Sequence, residues 1–264
     1  MTTTIALAGK GGVGKTTIAG MVIKYLAQNQ TGSILAIDAD PSANLNMVLG
    51  LDLEWTVGDI REDMLHQVKD SLVQGGAAMG NLPGGVNKRD YLDYHVRSSL
   101  AEGSRFDLIA MGRGEGQGCY CAVNHNLRDV IDGMSKHYPY VVIDNEAGME
   151  HLSRRTTRDV QHLLIVSDAT QRGLVAAQRI VDIQKELEIN VENAYLIINR
   201  VPNGELHPEL KKFVDGLGVP LLGVVPADND LVAFEFSGKP LVDLGDESPV
   251  YQATVGMMKQ ILSD

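Results

Sequence analysis

The sequence predicts an α/β protein with a mostly parallel central sheet and helices on both faces. Two observations predict this class. Short, continuous apolar runs recur along the chain, as is typical of strands that are buried on both faces. Segments with apolar residues at helical spacing lie between most of these runs, and this alternation favours parallel strands joined by helices. The sequence shows no repeat and no linker, so we expect one domain that spans residues 1–264.

The predicted elements follow the chain in order. The expected strands are Ile5–Ala8, Ile34–Ile37, Phe106–Ala110, Tyr140–Ile143, His162–Val166, Ala194–Ile198 and Leu221–Val225. The expected helices are Thr16–Ala27, Asn124–Val130, Leu174–Leu187 and Glu209–Leu217. The region Val57–Ser104 contains two glycine-rich stretches, so we expect irregular excursions and short helices there.

Composition narrows the classes of function. The formal net charge is −11, which disfavours unaided binding to nucleic acid or to anionic lipid. No apolar run reaches the roughly 18 residues that a membrane span needs, and the N-terminus does not resemble a signal peptide. We therefore expect a cytoplasmic protein with neither nucleic acid nor membrane among its partners. The two cysteines, Cys119 and Cys121, are too few for a disulfide framework.

The most specific motif follows the first predicted strand and opens the first helix. Residues 9–16 read GKGGVGKT and satisfy the phosphate-loop pattern G-x-x-x-x-G-K-[ST]. Glycines allow backbone N–H groups to converge on phosphate, and the helix N-terminus adds positive potential. Lys15 is expected to reach the β and γ phosphates of ATP, and the Thr16 hydroxyl to ligate Mg²⁺. The expected nucleotide contacts are Gly9, Gly11, Gly12, Val13, Gly14, Lys15, Thr16 and Thr17.

Lys10, a second lysine within the loop, resembles the characteristic lysine of the deviant Walker A, or SIMIBI, ATPases. This family includes the nitrogenase iron protein and the septum-positioning and partition ATPases. The resemblance implies a homodimer in which Lys10 reaches the nucleotide of the opposite subunit, where a cation stabilises transition-state charge. Asp40, which precedes Pro41, resembles the family's switch I aspartate, and the resemblance implies that it orients the attacking water.

Two further acids end apolar strands. Asp144 follows Val141-Val142-Ile143 in the Walker B form and is expected to hold Mg²⁺, through water. The next residues, 145–148, resemble switch II. Asp38 has two open interpretations: it supports the Mg²⁺ site, or it caps the end of its strand.

The base of the nucleotide is expected near the ends of two later strands. Asn199 follows an apolar strand and carries both a donor and an acceptor, and in the family an asparagine here reads the adenine edge. Its neighbour Arg200 is included in the predicted base site. Pro226 and Asp228 match the family segment that closes over the base.

Cys119-Tyr120-Cys121 follows a glycine-rich loop and supplies two soft ligands. A closed tetrahedral site needs four, which a two-fold dimer would provide. Such an intersubunit thiolate site suits Zn²⁺ or an iron–sulfur cluster, or Ni²⁺ in another geometry.

The C-Y-C segment and the run E-H-L at residues 150–152 resemble the CooC-type ATPases, which assist nickel insertion into carbon monoxide dehydrogenase. This resemblance implies that Cys119 and Cys121 bind Ni²⁺ or Zn²⁺ and that a client metalloenzyme is the partner, with acetyl-CoA synthase as a related client. His151 has three open interpretations: a relay of nucleotide state, a transient metal ligand or a structural histidine.

Two other functions remain open from the sequence. One is an electron-transfer ATPase with a bridging iron–sulfur cluster, of the nitrogenase iron protein type, although the cysteine spacing differs. The other is a positioning ATPase of the septum-site or partition type. The acidic charge and the C-terminal region, whose only cation after residue 248 is Lys259, argue against that second function.

Overall fold

The computed structural model describes residues 2–73, 82, 86–113, 121–147, 159–186 and 190–262. These residues form an eight-stranded sheet with the strand order β3-β4-β2-β5-β1-β6-β7-β8. The strands are β1 (Thr3–Gly9), β2 (Ile34–Asp38), β3 (Ala101–Glu102), β4 (Phe106–Ala110), β5 (Tyr140–Asp144), β6 (Asp159–Asp168), β7 (Asn190–Val201) and β8 (Leu221–Pro226). All neighbouring strands pair in parallel except β3 and β4, which pair antiparallel at one edge.

Helices cover both faces of this sheet. The α-helices are α1 (Lys15–Asn29), α2 (Leu45–Leu49), α3 (Val57–Val73), α4 (Lys88–Ser98), α5 (Cys121–Ser135), α6 (Gln171–Glu186), α7 (Pro208–Asp215), α8 (Asn229–Phe236) and α9 (Pro249–Ile261). Two separate apolar clusters result: α1, α2 and α9 pack on one face, and α3 to α7 pack on the other. The predicted α/β class with a mostly parallel sheet is confirmed.

Alternation along β1 shows why both faces are covered. Ile5 and Leu7 belong to the cluster under α1, whereas Ala6 and Ala8 belong to the opposite cluster, and all four are fully buried. A strand with buried side chains on both faces reads as a continuous apolar run, which is the pattern that predicted it.

The region after β2 is more regular than predicted. Residues 57–73 form one helix of 17 residues, in which Val57, Ile60 and Met64 are buried at helical spacing. Thr56 and Asp59 exchange hydrogen bonds at its start: the Asp59 N–H donates to Thr56 Oγ1 (3.2 Å) and the Thr56 N–H donates to Asp59 Oδ2 (2.8 Å). This reciprocal cap begins the helix. The expectation of irregular excursions and short helices was therefore wrong for residues 57–73. The short antiparallel strand β3 was also not predicted.

The register brings the functional candidates to one edge. In the parallel pairing, Asp144 lies opposite Leu7 on one side and opposite Asp38 on the other. On the far side of β1, Asp168 at the end of β6 lies opposite Asn199 in β7. The carboxyl ends of parallel strands form the edge where open α/β sheets bind ligands.

Candidate functional site

The loop between β1 and α1 has the backbone that a phosphate cradle requires. Gly12 and Gly14 have φ values of +78° and +94°, in the left-handed region that favours glycine, and Gly14 is the N-cap of α1. A Cβ on Gly9 would lie 2.3 Å from the Val166 carbonyl oxygen, so the loop leaves β1 in direct contact with β6. The loop therefore presents backbone, rather than side chains, at the helix N-terminus.

Lys15 extends from the first turn of α1 into the site. Its side chain is almost buried, and its Nζ donates to the Lys10 carbonyl oxygen at 3.4 Å. Burial lowers the pKa of Lys15, and the nearby carboxylates of Asp144, Asp40 and Glu146 act in the opposite direction. Three acids and one lysine thus share the space at the mouth of the loop.

Lys10 and Thr17 occupy the rim of the loop. The Lys10 side chain is exposed. Thr17 Oγ1 donates to Glu235 Oε1 of α8 at 3.5 Å, at the limit of a hydrogen bond.

Asp144 is deeply buried, with 1% of its surface exposed, the same fraction as Asp38. Burial raises its pKa to about 7, while a hydrogen bond from the Thr16 side chain lowers it. Its Oδ1 is buried and has no hydrogen-bond partner among the described residues. An orphaned carboxylate oxygen beside a hydroxyl is a donor set that fits a hard cation such as Mg²⁺.

The two aspartates after β2 differ in their contacts. Asp38 is buried, and its oxygens accept hydrogen bonds from the Asp40 N–H (3.0 Å) and the Leu45 N–H (2.9 Å). Burial raises the pKa of Asp38 to about 6. Both bonds tie the end of β2 to the segment that leads into α2. Asp40 is more exposed, and its Oδ1 accepts from the Ser42 N–H (2.8 Å).

Hydrogen bonds tie the predicted switch segments to the ends of neighbouring strands. The Ala39 N–H donates to the Asp144 carbonyl oxygen (2.8 Å), and Asn145 Nδ2 donates to the Leu7 carbonyl oxygen (2.7 Å). A Cβ on Gly11 would lie 3.9 Å from Ala147 Cβ, so the start of switch II faces the phosphate loop. Gly148 and His151 lie outside the described residues.

The end of β7 contacts the phosphate loop directly. Asn199 Nδ2 donates to the Val13 carbonyl oxygen (2.8 Å), and Arg200 Nη1 donates to the Gly12 carbonyl oxygen (2.8 Å). Sequence reasoning placed both residues near the base and missed these contacts. No local pattern signals them, because the partners are 186 and 188 positions apart along the chain.

Pro226 ends β8, and Asp228 caps the helix that follows. Asp228 Oδ1 accepts from the N–H groups of Asp230 (2.9 Å) and Leu231 (3.1 Å), and its Oδ2 accepts from Ser248 Oγ (2.9 Å). Both carboxylate oxygens therefore have partners within the chain. A contact of Pro226 or Asp228 with the base stays a prediction.

The predicted thiolate site lies at the border of the described region. Cys119 falls outside it, and Cys121 is described only as the first residue of α5. Within the described ranges, no group of three or more His, Cys, Asp or Glu side chains is arranged to hold a metal ion. No helix among these residues has the length and apolar character needed to cross a membrane.

The chain is similar to known proteins along nearly its whole length. The chain is 40% identical over 263 residues to an uncharacterised ATP-binding protein of Methanocaldococcus jannaschii, covering 98% of each chain. It is 30% identical over 245 residues to the carbon monoxide dehydrogenase accessory protein CooC of Rhodospirillum rubrum, covering 91% of this chain and 89% of that protein.

The fold is shared with a solved structure of the septum site-determining protein MinD of Pyrococcus horikoshii in complex with Mg-ADP. The TM-score is 0.68 and the identity 21%, over 100% of this chain and 97% of that one. The family described as the CobQ/CobB/MinD/ParA nucleotide binding domain matches residues 4–241. The chain therefore belongs to the CobQ/CobB/MinD/ParA family of nucleotide-binding proteins.

Proposed function

We propose that this chain is a homodimeric ATPase that hydrolyses ATP to ADP and phosphate and assists the insertion of nickel into carbon monoxide dehydrogenase or a related enzyme. The observation that supports the ATPase is the convergence of Lys15, Thr16, Asp40 and Asp144 at one edge of the sheet. These residues supply a phosphate-binding cation, two Mg²⁺-side oxygens and an acid for the attacking water.

Different residues of the chain have different roles in the hydrolysis of ATP. The loop amides and Lys15 bind the β and γ phosphates of ATP. Mg²⁺, held by Thr16 and by Asp144 through water, would neutralise charge on these phosphates when bound. Asp40, the more exposed of the two switch I aspartates, orients the water that attacks the γ phosphate. Lys10 stabilises the transition state from the opposite subunit.

The proposed cargo site consists of Cys119 and Cys121 from both subunits, with nickel or zinc as the bound ion. Two facts support this part: the similarity to CooC along nearly the whole chain, and the pairing of the only two cysteines in one short segment. Nucleotide binding closes the dimer and brings four thiolates together, and hydrolysis reopens it for release. We expect this cycle to take place in the cytoplasm.

The test is metal stoichiometry of the apo protein, measured separately with Ni²⁺ and Zn²⁺, together with sedimentation in the presence and absence of ADP and ATP. We expect one metal ion per two chains, appearing with the dimer and lost in a Cys119→Ser, Cys121→Ser variant that still binds ATP. Unchanged metal binding in that variant would reject the thiolate site. A brown preparation with visible absorbance would favour the iron–sulfur alternative.

A positioning ATPase is the second candidate. The likeness to septum site-determining MinD proteins supports it as a class, since one of them from Bacillus subtilis covers 90% of this chain at 22% identity. The net charge of −11 opposes the DNA-binding branch of that class. Nucleotide-dependent flotation with anionic vesicles, or retention on DNA at physiological salt, would favour this second function over metal insertion.

A further inference from the structure

Two side chains from β7 hold the phosphate loop on its carbonyl side. Asn199 bonds to the Val13 carbonyl oxygen and Arg200 to the Gly12 carbonyl oxygen, each at 2.8 Å. Asn199 is 5% exposed, so its bond is sheltered from water. The two bonds fall on consecutive peptide groups of the loop.

The geometry of the peptide group determines where the N–H groups of the loop point once these carbonyls are bound. In a planar trans peptide, the C=O and the N–H point in opposite directions. The Gly12 carbonyl shares its peptide group with the Val13 N–H, and the Val13 carbonyl shares its group with the Gly14 N–H. When both carbonyls are bound to β7, both N–H groups are directed away from β7. A phosphate cradle needs N–H groups that converge on the anion.

The backbone at Arg200 and at Gly14 has features that accompany this contact. Arg200 has a φ of +59°, a left-handed conformation that costs a residue with a side chain about 1 kcal/mol. The Arg200 N–H donates to Asn199 Oδ1 (2.9 Å). A Cβ on Gly14 would lie 2.4 Å from Asn199 Nδ2, so a glycine there permits the close approach. Strain of this kind persists where surrounding contacts offset it.

We propose that Arg200, with Asn199, is a positioning residue that orients the Val13 and Gly14 amides toward the phosphates of the bound nucleotide. This inference rests on the proposed ATPase function and assigns Arg200 to the phosphate side of the site instead of the base side. Asn199 still has one Nδ2 hydrogen and one Oδ1 lone pair unused by these bonds, so a simultaneous base contact is chemically compatible.

The test compares Arg200→Gly and Arg200→Lys with the wild type. The substitution by glycine removes the guanidinium and also removes the strain of the positive φ, so this variant is expected to fold. Thermal unfolding checks that it does. Lysine keeps a cationic donor and is expected to recover part of the binding. Dissociation constants are measured for ADP and for tripolyphosphate, which lacks the base and the ribose.

We expect Arg200→Gly to weaken the binding of both ligands about tenfold, as for the loss of one charge-assisted hydrogen bond. Loss of ADP binding with unchanged tripolyphosphate binding would assign Arg200 to the base and overturn the proposal. The matched control is Arg105→Ala: the Arg105 guanidinium donates to the Gln30 carbonyl oxygen (2.6 Å) at the opposite end of the sheet, and its loss should leave both constants unchanged.

The same measurements separate this proposal from the proposed function. A wild-type protein that binds tripolyphosphate through Arg200 without hydrolysing ATP would reject the ATPase and keep the positioning role. A wild-type protein that binds neither ligand would overturn both.

Discussion

At the scale of single residues, burial sets the chemistry of the site. Asp38 and Asp144 sit at the ends of neighbouring strands, and burial raises the pKa of each carboxyl above its ordinary value. The cost of keeping a buried carboxylate ionised falls on the nucleotide-free state. A bound cation beside Asp144 would remove much of that cost. The burial that destabilises the free protein would therefore strengthen the binding of the cation.

The substitution Asp144→Asn should therefore have opposite effects on stability and on activity. The folded pKa of about 7 lies above the unfolded value of 3.8, so the favourable contribution of the protonated carboxyl is lost as the pH rises from 3.8 through 7. At pH 8, asparagine should stabilise the nucleotide-free protein by about 2 kcal/mol, with little gain at pH 4.

Thermal unfolding across this pH range measures the effect, and ATP hydrolysis should fall at least about 100-fold because the carboxylate proposed to hold Mg²⁺ is lost. Asp52→Asn, at an exposed loop position, serves as the control and should change neither quantity. Equal unfolding temperatures of Asp144→Asn and wild type at pH 8 would contradict the account.

At the scale of elements, the helix that carries the phosphate loop is anchored at its far end. Lys24 of α1 is 5% exposed; its Nζ donates to the Leu244 carbonyl oxygen and pairs with Asp246 at 2.9 Å. The same Nζ lies 4.5 Å from the centre of the Tyr251 ring in α9. One buried cation thus joins α1, α9 and the loop before α9, because a buried charge needs several partners.

Lys24→Ala should lower the free energy of unfolding by about 2 kcal/mol, since it leaves a buried carbonyl and a cavity. Nucleotide affinity should be nearly unchanged, because Lys24 lies in the third turn of α1, away from the loop. Denaturant unfolding provides the measurement. In the matched control Arg97→Ala, which removes the exposed ion pair with Asp93 in α4, the loss should stay below about 0.5 kcal/mol.

At the scale of the whole molecule, the proposed dimer and the role of the exposed Lys10 in it can be tested together. Lys10→Ala and Asp40→Ala should each abolish hydrolysis when alone. In an equimolar mixture that exchanges subunits, half of the dimers contain one of each, and one of their two sites has both Asp40 and a Lys10 from the other subunit. The mixture should recover about one quarter of wild-type activity if Lys10 acts across the interface.

Steady-state ATP hydrolysis of the mixture, with each variant alone as reference, gives the result. An inactive mixture whose subunits demonstrably exchange would place Lys10 in its own subunit's site. Arg172→Ala, another exposed cation near Lys10, should hydrolyse ATP alone and thus controls for loss of surface charge.

Prediction from the sequence succeeded where the signal is local. The strand Phe106–Ala110 was predicted with its observed ends. Every other predicted strand is longer in the structure than in the prediction. The helix α3 was not predicted because the glycine-rich stretches that follow it are typical of irregular structure. The sequence does contain a signal for its start, since Thr56 and Asp59 have the spacing of a helix cap. The pair Asn199 and Arg200 was placed at the nucleotide but given only a base contact.

The sequence by itself determined the alternation of strands and helices, the phosphate loop after β1 and the acids at the ends of β2 and β5. Apolar periodicity and motif spacing are properties of neighbouring residues, so no tertiary information is needed to read them. Only the tertiary structure decided that Asp38 accepts hydrogen bonds from the Asp40 and Leu45 N–H groups, that Asp144 is buried with an orphaned oxygen and that Arg200 bonds to the phosphate loop. These features depend on which strands lie side by side, because burial and long-range hydrogen bonds arise from packing between segments far apart in the chain.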